Sequence, residues 1–257
     1  MSNLPSTTLG QGSSISERQR LTYLRAMGIQ AWSLKNSSAI SDDAVVLQQE
    51  AATAATATAA TATEATPTIV KADIATLDWH GLQQQVSQCQ QCELHATRSQ
   101  TVFGMGSQSA QLLIIGAAPA MDDDRTGQPF AGRAGELLNA MLRAIQLNRE
   151  QVYIANVLKC MPPQSRKPHT SEMICCDAYL QRQISLLQPK LILALGEIAA
   201  RHLIFTQGTL DSLRGRLHKF NGIPVIASYT PEALLNSPAD KGKAWQDLLQ
   251  VKQLLNS

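Results

Sequence analysis

The sequence has few aromatic residues, no long apolar run and only a small excess of basic charge. Aromatic residues make up 4% of the 257 residues, and the formal net charge is +2. So small a charge argues against a histone-like binder of nucleic acid, although it does not oppose contact with a phosphate backbone. Apolar runs of roughly 18 residues, which cross membranes, are missing, as is the basic start of an export signal. We therefore expect a cytoplasmic protein.

Part of the chain lacks the composition of a folded domain. Residues 51–66 contain nine Ala, six Thr and one Glu, so methyl groups in this tract inflate the apolar content of 44%. From residue 73 the composition becomes that of a globular domain. We therefore predict a partner-docking peptide at 1–36, an Ala/Thr-rich disordered linker at 37–72 and one folded domain at 73–257.

The N-terminal peptide has one apolar helical stripe and one aromatic anchor. Leu24 belongs to the stripe, which stops at Gly28, and Ile29, Trp32 and Leu34 follow. This apolar area is too small to fold alone. It is typical either of a frayed tail or of a peptide that docks on a partner.

Short apolar runs alternate with helical patterns through the predicted domain. Strands are predicted at 112–116, 152–158, 190–195 and 223–228, and helices at 78–92, 134–147, 171–187, 197–205 and 241–254. This alternation indicates an α/β fold with three α/β/α layers and a short central parallel sheet. Ligands of such sheets bind beyond the carboxyl ends of the strands. We therefore expect the site near the residues that follow 116, 158, 195 and 228.

The five cysteines are unlike a disulfide framework, because a reducing compartment disfavours one. Cys89 and Cys92 form a C-x-x-C pair, Cys160 follows a strand, and Cys175 and Cys176 lie on a helix. Consecutive helical residues point about 100° apart, so only one of the last two is expected to face a shared site. The spacing fits a zinc ion or an iron–sulfur cluster and favours the cluster. Five unrelated thiols are the remaining alternative.

The segments around these cysteines resemble type 4 uracil-DNA glycosylases over about residues 80–255. They read CQQCELHATRSQTVFGMG, GAAPAMDDDRTGQPFAGRAGELL and VYIANVLKCMPPQSRKP. The resemblance implies a uracil-DNA glycosylase-like fold, DNA as the partner and a [4Fe–4S] cluster. It assigns the cluster ligands to Cys89, Cys92, Cys160 and Cys176.

The resemblance also implies which residues bind the substrate. Phe130 matches the aromatic residue on which a flipped uracil stacks. Asn156 matches the amide that reads the base, since an amide can accept from N3–H and donate to O4. Ala118 and Pro119 belong to the loop that clamps the site. A structural role is the alternative for each of these two residues: Phe130 could be a core residue, and Asn156 could cap a turn.

A basic segment near the last strand is a candidate DNA contact. Arg214 and Gly215 match an Arg-Gly pair of the family, and Arg216 follows. Lys159 and Arg166 flank the metal loop and are interpreted in the same way. A solvated basic loop is the alternative interpretation of these residues.

The sequence differs from the family at positions where the family has catalytic residues. Ala117 stands at the position of a Glu, and Thr230 stands where a His is expected. Asp123 and Asp124 align with a Glu-Asp pair, and with Asp122 they could position the water. Type 5 glycosylases also have an apolar residue at the first position, so Ala117 alone does not exclude activity.

Two functions follow from these residues. The first is hydrolysis of the N-glycosidic bond of uracil in DNA. The second is a catalytically inactive replisome adaptor, because YLRAMGIQAWSLK resembles the N-terminal peptide of the DNA polymerase III psi subunit. That resemblance implies docking on clamp-loader subunits.

Overall fold

A computed structural model describes residues 73–256. The predicted docking peptide, with Leu24, Ile29, Trp32 and Leu34, and the predicted linker at 37–72 lie outside the described residues. Across the part of the chain that is described, no helix has the length and apolar character needed to cross a membrane.

The centre of the domain is a mixed six-stranded sheet in the order β1-β3-β2-β4-β6-β5. Its strands are β1 Met105–Gly106, β2 Leu112–Gly116, β3 Tyr153–Asn156, β4 Leu191–Leu195, β5 His218–Phe220 and β6 Ile223–Ser228. The four inner strands run parallel, and β1 and β5 pair antiparallel at the two edges. The inner strands are buried on both faces, which explains their continuous apolar sequences.

Eight α-helices accompany the sheet within residues 73–256. They are α1 Trp79–Ser87, α2 Met121–Thr126, α3 Gly132–Ala144, α4 Thr170–Leu187, α5 Glu197–Ile204, α6 Leu210–Leu213, α7 Pro231–Asn236 and α8 Lys241–Leu255. Polar side chains start several of them. Asp78 accepts the Gly81 N–H at 2.8 Å in α1, and Thr230 caps α7. These bonds satisfy backbone donors that a helix start leaves unpaired.

Helices cover both faces of the sheet, as the predicted three-layer α/β/α fold requires. Alternate residues of β2 illustrate this, because Leu113 and Ile115 belong to one core and Leu112 and Ile114 to the other. The first core contains apolar side chains of α4 and α5, and the second contains those of α3 and α8. The fold prediction is confirmed, with antiparallel edge strands added to the parallel centre.

The strand order changes direction at β2. From β2 the chain passes to β3 on one side, and it then returns to β4 on the other side. Crevices at such a switch point, beyond the carboxyl ends of the strands, are where α/β folds bind ligands. The ends of β2 and β3 are therefore the first place to look for a site.

Candidate functional site

The last residues of β2 and β3 lie side by side. Gly116 and Asn156 are paired in register, and the Val157 N–H donates to the Gly116 carbonyl at 2.9 Å. The Leu158 N–H then donates to Ala117 at 3.0 Å. These bonds hold the loop after β2 against the loop after β3.

Asn156 and Phe130 face the same small space above Gly116. A Cβ atom on Gly116 would collide with Asn156 Oδ1 and would lie 2.7 Å from Phe130 Cζ. Asn156 is 1% exposed, yet neither its Oδ1 nor its Nδ2 has a hydrogen-bond partner within residues 73–256. Buried amides in proteins are nearly always paired. A free donor and a free acceptor at this position therefore indicate a ligand with the matching pattern.

Phe130 is held in an unfavourable backbone conformation. Its φ of 51° lies in the left-handed region, which residues with large side chains rarely adopt. Arg149 donates to the carbonyls of Pro129 and, at 3.3 Å, Phe130. Gly135 lets the Phe130 carbonyl approach so closely that no side chain would fit there. Such strain persists only where surrounding contacts impose it, commonly at functional sites.

Asp123 ties the Ala118-Pro119 loop to the Phe130 loop. Its carboxylate accepts the Ala120 N–H at 3.2 Å and the Ala131 N–H at 2.7 Å. Burial raises the pKa of Asp123, and the backbone donors and Arg149 oppose that shift. Both oxygens are thus engaged in holding the two loops, which differs from the predicted role in positioning water.

Asp124 is engaged in the same manner, whereas Asp122 is not. Both oxygens of Asp124 accept the Ser99 N–H, at 3.1 and 2.9 Å, and the residue is 4% exposed. Asp122 is exposed and pairs with Arg125 at 3.1 Å. It borders a surface groove whose other lining residues include Ala131, Arg133 and Glu232. Of the three acidic residues, Asp122 alone leaves its carboxylate open to solvent.

Thr230 follows β6 at the same edge of the sheet. Its Oγ1 accepts the Ala233 N–H at 3.1 Å and so begins α7. The hydroxyl proton remains available for donation, because the cap uses the oxygen only as an acceptor. The Thr230 methyl lies against Gly196, where a side chain would collide with it.

A phosphate contact would require an exposed guanidinium, but the Arg214 side chain is only 10% exposed. Its Nε and Nη2 donate to the two oxygens of the buried Asp247 at 2.9 and 3.0 Å. The guanidinium also lies 4.7 Å from the Tyr229 ring centre. Asp247 accepts from Ser228 at 2.7 Å, so this pair joins α8 to the end of β6. Arg214 therefore holds the loop before Thr230, while Arg216 is exposed.

All five cysteines border one enclosed cavity. Cys160 and Cys176 are buried, and the other three are partly buried, with no disulfide among them. Cys175, which is expected not to be a ligand, also borders the cavity beside Cys176. The cavity therefore borders two consecutive residues of α4.

Positive charge and hydroxyl donors surround the cysteine sulfurs. Arg98 Nη1 donates to Cys160 Sγ at 2.9 Å, and the Tyr179 hydroxyl hydrogen-bonds with Cys89. Burial raises the pKa of Cys176 to about 12. Burial lowers the pKa of Lys159 to about 7, and the neighbouring Cys176 and Cys160 oppose that shift.

Lys159 and Arg166 both pair with other residues of the protein. Lys159 is 1% exposed, and its Nζ donates to the carbonyl of Asn156 and to Gln183. Arg166 pairs with Glu172 at 2.5 Å, and Glu172 also accepts the His169 N–H at the start of α4. Burial takes Lys159 away from the surface, whereas the Arg166 side chain is 34% exposed and is held by Glu172.

Within residues 73–256, no three or more His, Cys, Asp or Glu side chains form a group that would hold a metal ion. The cysteine cavity is nevertheless the place where the predicted ligands Cys89, Cys92, Cys160 and Cys176 meet. Sequence reasoning missed Arg98, Arg149, Gln183 and Asp247, because each acts through a partner distant along the chain.

A strained aromatic residue thus lies beside an unpaired buried amide at the switch point of an α/β/α fold, which defines a candidate ligand-binding site. Residues 103–249, more than half of the chain, match the family model of the Uracil DNA glycosylase superfamily. The chain belongs to that superfamily.

Individual relatives within the superfamily are type-4 and type-5 uracil-DNA glycosylases. A type-4 uracil-DNA glycosylase of Archaeoglobus fulgidus is 36% identical over 181 residues, 66% of this chain and 90% of the relative. One of Thermotoga maritima is 36% identical over 162 residues, 62% of this chain and 83% of the relative. A type-5 enzyme of Pyrobaculum aerophilum is 30% identical over 146 residues, 50% of this chain and 64% of the relative.

Proposed function

We propose that this protein hydrolyses the N-glycosidic bond of uracil in DNA, as a uracil-DNA glycosylase of the type-4 kind. The observation that carries the proposal is the unpaired amide of Asn156, buried beside Phe130 above Gly116. A base must leave the duplex to reach such an enclosed site. Phe130 then offers its ring for stacking, and Asn156 offers one acceptor and one donor.

The pattern of Asn156 favours uracil over cytosine. Uracil presents a donor at N3 and an acceptor at O4, which complement the amide oxygen and the amide NH2. Cytosine presents an acceptor at N3 and a donor at its amino group, so the same amide would have to turn over. In the orientation that the structure gives the amide, cytosine would leave both amide atoms unpaired, and a site with such a mismatch rejects the wrong ligand strongly.

The proposed chemistry uses the Thr230 hydroxyl and a carboxylate near Ala117. Breaking the bond places negative charge on the departing base and positive charge on the sugar. The Thr230 hydroxyl keeps its proton free to donate toward the base, because its oxygen is the capping acceptor. Asp122 is proposed to orient the water, because it is exposed whereas Asp123 and Asp124 are engaged by backbone donors. The Thr230 hydroxyl is a weaker donor than a His, and the Asp122 carboxylate is shared with Arg125, so we expect slow excision.

Base release from matched strands tests this function. Two single-stranded oligonucleotides that differ only in one uracil or one cytosine are incubated with the full chain, and the free base is measured. We expect uracil from the first strand and no cytosine from the second. Equal release of the two bases would contradict the proposed role of Asn156.

We further propose that Cys89, Cys92, Cys160 and Cys176 hold a [4Fe–4S] cluster. The fit rests on four thiols at one enclosed cavity, with donors from Arg98 and Tyr179 aimed at two of the sulfurs. Hydrogen bonds and positive charge of this kind stabilise cluster thiolates. When bound, the cluster would supply four iron–thiolate links that crosslink the C-x-x-C segment, the loop after β3 and α4.

Substituting Cys160 tests the cluster. We expect Cys160→Ala to abolish the visible iron–sulfur absorption of anaerobically purified protein and to lower the melting temperature by about 10 °C or more. Cys175→Ala is the matched control and is expected to retain the absorption and the iron content. Equal iron in both variants would contradict the ligand assignment.

DNA binding and the N-terminal partner are also proposals. Arg216 is an exposed basic residue of the segment before β5 and is a candidate phosphate contact.

Residues 1–36 are proposed to dock on clamp-loader subunits of DNA polymerase III, with residues 37–72 as the tether. Deleting residues 1–36 is expected to abolish co-purification with those subunits and to leave base release unchanged. Unchanged co-purification would contradict the docking role.

A further inference from the structure

The proposed chemistry makes no use of one buried cation, Lys159. Its side chain is 1% exposed and lies between the cysteine cavity and the end of β3. Nζ donates to the Asn156 carbonyl at 2.7 Å and to Gln183 Oε1 at 2.6 Å. Both acceptors are neutral.

A buried ammonium is expensive unless negative charge lies near it. Cys176 borders the same enclosed cavity as Lys159. Lys159 is also adjacent in sequence to Cys160 and borders the cavity itself. The arrangement therefore places a cation where thiolates around the cavity would compensate it.

The second partner of Lys159 extends the network away from the cavity. Gln183, on α4, is 1% exposed and donates to the Phe103 carbonyl at 2.8 Å. The Val102 N–H donates to the Lys159 carbonyl at 2.8 Å. Lys159 is thus fixed at both its backbone and its ammonium, and its bond to Asn156 is correspondingly well defined.

We infer that Lys159 is a positioning residue that couples the cysteine site to the base-reading Asn156. Its Nζ holds the Asn156 carbonyl at 2.7 Å, and so the end of β3 from which the unpaired amide projects, while the same side chain borders the cysteine cavity. This inference rests on the proposed function. It predicts that the cluster and the choice of base depend on one shared side chain.

Lys159→Met tests the coupling in the full, iron-loaded protein, because Met keeps the length of the side chain and removes charge and donors. Removing a positive charge beside the cluster is expected to make its reduction potential more negative. Losing a charged hydrogen bond is expected to lower the preference for uracil over cytosine about ten- to a hundredfold. Lys167→Met, a change of an exposed lysine in the same loop, is the control and should alter neither value.

The preference is measured as binding to single strands that carry one 2′-fluorinated deoxyuridine or deoxycytidine. The fluorine destabilises the cationic sugar, so the bond survives and binding is separated from cleavage. A wild-type protein without preference would contradict the proposed function itself. A wild-type preference that Lys159→Met retains, together with an unchanged potential, would overturn the coupling alone.

Lys159→Gln serves if Lys159→Met does not fold. Gln removes the charge but keeps a neutral donor, so we expect the same fall in potential and a smaller loss of preference. Failure of both variants to fold, with Lys167→Met folded, would make Lys159 a purely structural residue and would also overturn the inference.

Discussion

Replacing Asn156 by aspartate is expected to slow uracil excision about 10²–10³-fold, the usual cost of removing one aimed donor from an active site. Aspartate keeps the shape of the side chain and one acceptor. Its second oxygen would face uracil O4, where the amide NH2 stands, and would repel it. Because Asn156 is buried and no side chain or backbone group of residues 73–256 pairs with its amide, no described group of the protein compensates the loss.

Asn148→Asp is the matched control for this change. Asn148 is exposed, and its Oδ1 accepts the Glu150 and Gln151 N–H groups at 3.1 and 3.0 Å, which a carboxylate can also accept. We expect unchanged excision by this variant under single-turnover conditions. If Asn156→Asp excised uracil as fast as Asn148→Asp, the amide would not read the base.

Restoring the two residues that differ from the type-4 pattern is expected to have the opposite effect. Ala117→Glu with Thr230→His should raise the rate of uracil excision about 10²–10⁴-fold, since it adds a carboxylate for water and a stronger donor for the departing base. Thr230→His removes the cap of α7, which costs about 1 kcal/mol of stability. Single-turnover rates on a uracil strand check this prediction.

Thr230→Val separates the donor from the shape at this position. Valine keeps the branched side chain beside Gly196 and removes the hydroxyl. We expect it to lower the residual rate, with a similar loss of the α7 cap. A double variant no faster than wild type, with intact fold and iron, would show that Ala117 and Thr230 do not limit the reaction.

The inner part of the fold was predictable from the sequence, whereas its edges were not. Continuous apolar runs define strands at 112–116 and 223–228, and the structure has β2 and β6 with those bounds. The edge strands β1 and β5 have only two and three residues, too few for a periodic pattern. The short helices α2, α6 and α7 were likewise missed, because fewer than two turns leave no amphipathic stripe.

Within the site, the sequence predicts residues that contact a ligand more reliably than it predicts residues that position other side chains. Phe130 and Asn156 were named, and the structure brings them together above Gly116. Arg214 was interpreted as a DNA contact, yet its partner Asp247 lies 33 positions away and is buried. Lys159 was interpreted in the same way, yet it is buried and pairs with Gln183, 24 positions away. Burial and long-range pairing arise only from the folded chain.

Excision of uracil by the full chain tests the central claim most directly. A single-stranded oligonucleotide with one uracil is incubated with excess protein that carries intact iron, and abasic product is followed with time. We expect slow product formation by the wild type and at least about a hundredfold less by Asn156→Asp. An intact uracil strand with the wild type, while Ala117→Glu with Thr230→His cleaves it, would contradict the claim that this chain is an active glycosylase.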